Sequence, residues 1–173
     1  MVAKKKGAGG KLSRSEIITV RLDPKLRFAA ELAARKQRRT LSSFVEWAIE
    51  EAVRSVRVLN KEDISGVVWQ AMMQVWDVEE ADRLVKLAIN FPELLTFDEE
   101  RLWKIISENP YFWYRDWDHG GGWNEDNENC INYENLRSQW TTLNKIIAGE
   151  ATISDLPKEA LNEPPSMGDD VPF

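Results

Sequence analysis

Residues 16–43 read EIITVRLDPKLRFAAELAARKQRRTLSS. Ile18, Val20 and Leu22 alternate with Ile17, Thr19 and Arg21, which gives a short strand over 16–22 one apolar face and one mixed face. Asp23-Pro24 then stops it: an Asp N-cap followed by Pro at the first helical position is a strong helix start. The first helix is predicted over 24–37. Leu26, Ala29, Ala30, Ala33 and Ala34 fall on one stripe, and Phe28 and Leu32 form a second apolar spot. Arg35, Lys36, Arg38 and Arg39 follow at its C-terminal end, where cations suit the helix dipole. Thr40 is the predicted N-cap of a second helix running to about Val56, with Val45, Ala48, Ile49, Ala52 and Val53 on its stripe.

One six- or seven-residue strand and two helices cannot bury a core alone, because the strand's apolar face has no partner within the module. The economical solution is a dimer in which two strands pair antiparallel with four helices packed beneath.

Composition fits this division of labour. The 173 residues are 43% hydrophobic and 30% charged, with a net charge of −6, which is globular composition. The charge is unevenly spread. Residues 1–57 hold 14 Lys/Arg and 6 Asp/Glu, and residues 58–173 hold 9 and 23, balances of +8 and −14. The first part suits a polyanion and the second does not. No run approaches the roughly 20 apolar residues of a membrane span. The basic N-terminus is followed by Gly and Ser rather than an apolar stretch, so no secretory signal is expected. The single cysteine, Cys130, allows no intrachain disulfide and no Cys-rich zinc site. A cytoplasmic, nucleoid-associated protein is expected.

On these residues — ITVRLDP, the stripe through Leu26 and Ala33, the RRTLSS turn, and Val45, Ala48 and Ile49 — the chain resembles the ribbon-helix-helix family of the Arc/MetJ/CopG type, over about a quarter of its length. That family usually has Gly between the helices, where this chain has Gln37-Arg38-Arg39. The resemblance implies a β-ribbon in the DNA major groove, with Ile17, Thr19 and Arg21 reading base edges. It also implies a phosphate clamp at the start of the second helix, here Thr40, Leu41, Ser42 and Ser43. Lys4, Lys5, Lys6, Lys11 and Arg14, in a disordered basic arm over 1–15, would add phosphate contacts that read no sequence.

Beyond a hinge at 57–61, an acidic α-helical domain is predicted over 60–150. Its helices are expected near 62–76, 79–90, 98–108 and 132–148, with an aromatic run and a Gly/Asn loop before the last. The tryptophans of this region are read as core and interface packing, since a region of such negative charge repels phosphates. His119, with Asp116, Asp118, Glu125, Asp126 and Cys130 nearby, lacks zinc-ligand spacing, and no metal, cofactor or catalytic residue is expected. Residues 151–173, rich in Pro and acid, are read as a disordered tail. Its end, Asp169, Asp170, Val171, Pro172 and Phe173, resembles the C-terminal tip of bacterial single-stranded DNA-binding proteins, which implies a docking peptide for a protein partner.

The expected fold is therefore mainly α: a dimeric ribbon-helix-helix module at 16–57, then an all-α Trp-rich domain, with disordered tails. The expected function is sequence-specific binding of double-stranded DNA as a homodimer or higher homo-oligomer, in transcriptional repression, with no membrane. The alternatives are an accessory of plasmid, phage or mobile-element DNA processing (partition, relaxosome or replication) that recruits partners through the tip, and an antitoxin.

Overall fold

The computed structural model describes residues 18–61, 65–116, 120, 122–158 and 162–163. These residues are mainly helical and fall into two compact units, 1–52 and 53–173. The division lies a few residues before the 57/60 boundary read from composition.

In the first unit, α1 spans Pro24–Lys36 and α2 spans Leu41–Val53. Asp23 caps α1 as expected, its carboxylate accepting from the amides of Lys25 at 2.9 Å and Leu26 at 3.4 Å, with Pro24 at the first position. Thr40 caps α2, its Oγ1 accepting from the Ser43 amide at 3.2 Å. The second helix stops at Val53 rather than Val56. Ile18–Leu22 form no strand within the chain, a correction to the sequence reading with a simple reason. A ladder needs a neighbour, and a single copy of this unit offers none.

The second unit opens with a feature absent from the sequence reading. Arg57–Leu59 (β1) and Ser65–Val67 (β2) pair antiparallel, with Val58 opposite Gly66. Residues 57–61 are thus no plain hinge, and the unit is not all-α. The helix expected over 62–76 is shortened to Val68–Val75 (α3). α4 (Glu80–Asn90), α5 (Phe97–Ser107) and α6 (Tyr133–Ile147) stand within two residues of their expected bounds. α5 has a reciprocal cap: Thr96 Oγ1 accepts from the Glu99 amide while the Glu99 carboxylate accepts from the Thr96 amide at 2.8 Å.

α4 lies against α3, α5 and α6, and its inner face, Ala81, Leu84, Val85 and Ile89, meets Leu102, Ile106, Leu136 and Leu143. Each of these large aliphatic side chains contributes about 1.5–3 kcal/mol on burial. The aromatic run after α5 enters this core. Phe112 and Trp113 are fully buried, and Trp113 is bridged antiparallel to Ile131. Two indoles close the C-terminus of α5, whose last carbonyls lack helical partners. Trp113 Nε1 donates to the Ile106 carbonyl at 2.8 Å, and Trp123 Nε1 to that of Ser107 at 3.0 Å. Trp103 adds an edge contact with Trp113 at 6.0 Å.

The tail read over 151–173 starts too early. Leu156 is buried in the core, following a turn of helix at Ile153–Asp155. The Asn162 amide group donates to the carbonyls of Tyr111 and Trp113 at 2.9 and 3.0 Å. Arg115 pairs with Glu163 at 3.0 Å. Within the described part of this segment, Asp155 and Pro157 flank the buried Leu156; residues 159–161 and 164–173 lie outside the described residues. No helix among the described residues is long and apolar enough to cross a membrane.

Candidate nucleic-acid interface

The first unit presents an apolar surface that its own two helices do not cover. Ala34 is its one buried apolar side chain among the described residues, while Ile18 is 80% exposed and Val20 60%. Leu22, Leu26, Phe28, Leu32 and Ile49 are exposed as well. Several of these are residues that the sequence reading places on the inward faces of the strand and helices.

Thr19 and Arg21, two of the three expected base readers, are also exposed. Ile17 lies outside the described residues, as do Lys4, Lys5, Lys6, Lys11 and Arg14 of the arm and Asp169, Asp170, Val171, Pro172 and Phe173 of the tip.

The turn between the helices explains how the chain dispenses with glycine. Arg38 itself takes the left-handed conformation, at φ 56°. The amides of Arg38 and Arg39 then donate to the carbonyls of Arg35 at 3.1 Å and Ala34 at 2.9 Å. This pair of bonds is the Schellman closure of a helix C-terminus. It turns the chain sharply enough for Thr40 to cap α2 at once.

At the start of α2 the four expected clamp residues divide their roles. Thr40 engages the Ser43 amide, and the Phe44 amide makes the first helical bond, to the Thr40 carbonyl at 3.0 Å. The amides of Leu41 and Ser42 have no acceptor among the described residues, so they remain available to an anion where the helix dipole favours one.

Most of the described cations of the first unit have no carboxylate partner among the described residues. Arg27 and Arg35 share Glu31, at 3.3 and 3.9 Å. Among the described residues no carboxylate pairs with Arg21, Lys25, Lys36, Arg38 or Arg39; Arg39 lies over the Trp47 ring at 5.7 Å. Lys36, Arg38 and Arg39 flank the open amides in sequence, and all three are exposed. The sequence reading assigned them to the helix dipole alone, though their position immediately before an N-cap is legible in the sequence.

The second unit handles charge differently. Lys61, Lys86, Arg101, Lys104, Arg115 and Arg137 each face a carboxylate of the same unit: Asp126, Asp77, Asp98, Glu108, Glu163 and Asp82. Lys86 holds the Asp77 carboxyl below its ordinary value through a hydrogen bond, and Asp77 in turn raises Lys86. Six of the unit's cations are thus paired within it, in a stretch of sequence where acid exceeds base. Burial raises the Cys130 thiol, and the hydroxyl of Tyr133, half-buried and donating to Glu128 at 2.9 Å, is raised too. Neither is set up as a nucleophile at neutral pH. Among the described residues no three His, Cys, Asp or Glu side chains converge to hold a metal ion.

No family model, curated protein or solved structure matches the chain.

Proposed function

We propose that the chain is a dimeric, sequence-specific double-stranded DNA-binding protein that acts in transcriptional repression. The observation that carries this reading is the exposed apolar set of the first unit, which includes side chains of the Ile18–Leu22 segment and of both helices. A second copy buries the stripe side of this set: two Ile18–Leu22 segments pair antiparallel, Val20 and its apolar neighbours turn inward, and α1 and α2 of each copy close beneath, with Phe28 and Leu32 on the second spot of α1 left outside that core. Each large side chain so covered contributes about 1.5–3 kcal/mol.

The ribbon then points Ile17, Thr19 and Arg21 outward, and a two-stranded ribbon fits the major groove. Arg21 donates two bonds to guanine O6 and N7, worth about 1–3 kcal/mol of discrimination. Thr19 and Ile17 meet thymine methyls. The open amides of Leu41 and Ser42, with Lys36, Arg38 and Arg39 beside them, seat a backbone phosphate and set the register. The acidic second unit stays off the phosphates.

Selection from a pool of random duplexes by the full chain tests this. An enriched inverted repeat, bound by one dimer, is the expected result. Equal retention of all duplexes, or retention of single strands alone, overturns it. Mapping the enriched motif onto the source genome separates repression, with sites at promoters, from a DNA-processing accessory, with sites clustered at one locus.

A further inference from the structure

The second unit carries an apolar groove that the described residues leave open. The groove lies where the end of α3 and the faces of α4, α5 and α6 meet, with a volume of about 480 Å³. Val75, Leu87, Trp140 and Ile147 line it, all half-buried. Its rim is acidic: Glu80 comes from the first turn of α4, and Asp98 and Glu99 from the first turn of α5. The one cation of the lining, Arg83, is occupied. It donates to the Asp77 carbonyl at 2.6 Å and lies over the Trp76 ring at 5.1 Å. Two large aromatic side chains next in sequence to lining residues are exposed; the Trp76 ring lies against Arg83 of the lining, and Arg101 lies over the Phe97 ring at 5.9 Å. Trp76, next to Val75, is 55% exposed, and Phe97, next to Asp98, is 72% exposed.

Exposed aromatics beside half-buried aliphatic side chains are costly to leave in water and mark interaction surfaces. The rim selects the occupant. Glu80 accepts from Trp140 Nε1 at 3.3 Å, which fixes its carboxylate at the edge of the apolar floor, and Asp98 remains largely exposed despite its 3.5 Å contact with Arg101. An apolar trough between helices, edged by carboxylates, is the complement of a helix with an apolar stripe and lysines or arginines on its flanks.

We propose that this groove docks a basic amphipathic helix of a partner protein. The surface lies wholly within the second unit, so the proposal stands apart from DNA binding.

The test uses the full chain and two synthetic 15-residue helices, one with a leucine stripe flanked by lysines, the other with the same stripe flanked by glutamates. Affinity is measured by calorimetry and the place of binding by the indole N–H resonances of Trp76 and Trp140. The lysine helix is expected to bind and to move both resonances, and the glutamate helix to bind at least about tenfold more weakly. Phe97→Ser and Asp98→Lys, checked for unchanged melting, are each expected to weaken the lysine helix several-fold. Equal binding of the two helices, no binding of either, or an affinity indifferent to both substitutions overturns the proposal. So does self-association of the free protein beyond a dimer that Phe97→Ser abolishes, because the occupant is then a second copy of this chain.

Discussion

The amide of Arg39 donates to the carbonyl of Ala34 at 2.9 Å, closing α1 while the intervening Arg38 sits at φ 56°. A non-glycine residue in that region costs about 1–2 kcal/mol, partly offset by the entropy a glycine loses on folding. Arg38→Gly is therefore expected to stabilise the first unit by about 0.5–1 kcal/mol. It also removes a cation beside the open amides of α2, so DNA affinity falls for all sequences alike and the salt dependence flattens by about one charge. Denaturation and a salt titration read the two effects separately. Tighter DNA binding by the variant contradicts the phosphate role.

In the second unit Arg137 on α6 binds Asp82 on α4 through two hydrogen bonds, Nε to Oδ1 at 3.0 Å and Nη2 to Oδ2. Asp82 is buried and Arg137 half-exposed. Removing the arginine alone strands a buried carboxylate, so Arg137→Met is expected to cost about 2–4 kcal/mol. The double variant Asp82→Leu with Arg137→Met is expected to recover much of that loss. Equal destabilisation of single and double variants in urea melts shows that packing, not charge, governs the site.

The Asp77–Lys86 pair, at 2.8 Å, gives the unit a signed pH dependence. The folded-state value of Asp77 lies below its ordinary 3.8, so its contribution is present above that pH and is lost as pH falls through the depressed value. Asp77→Asn is expected to destabilise by about 0.5–1 kcal/mol at pH 7, and the difference from the parent to vanish at the acid end. A difference that persists once the Asp77 carboxyl is protonated points to the backbone turn around Asp77 instead.

The local signals proved legible where the physics is local. Asp23-Pro24 and Thr40 announced their helices because a cap and a fixed φ act within three residues. The stripes of α4, α5 and α6 stood out because each helix buries one face against the others. β1 and β2 were missed since three-residue strands such as Arg57–Leu59 carry no usable period and exist only through each other. Leu156 was missed because its burial is set by a distant core, while its neighbours Pro157 and Asp155 have loop composition. Ile18–Leu22 shows the converse: its strand pattern is clear, yet the structure of one chain cannot supply what a strand pairs with.

Assembly follows from the same segment. Val20→Asp in the full chain is expected to give a monomer by sedimentation equilibrium where the parent is a dimer, because the charge falls at the centre of the paired face. The second unit should keep its core, seen as an unchanged buried-tryptophan emission. A parent protein that is monomeric at all concentrations contradicts the ribbon.

The measurement that bears most directly on the proposed function is the base preference of Arg21→Ala against the parent, on duplexes varied one pair at a time around the selected site. The substitution is expected to erase discrimination of about 1–3 kcal/mol at one base pair in each half-site and to leave the other positions ranked as before. Unchanged affinity and unchanged preference at every position would contradict the assignment of this ribbon as the element that reads DNA.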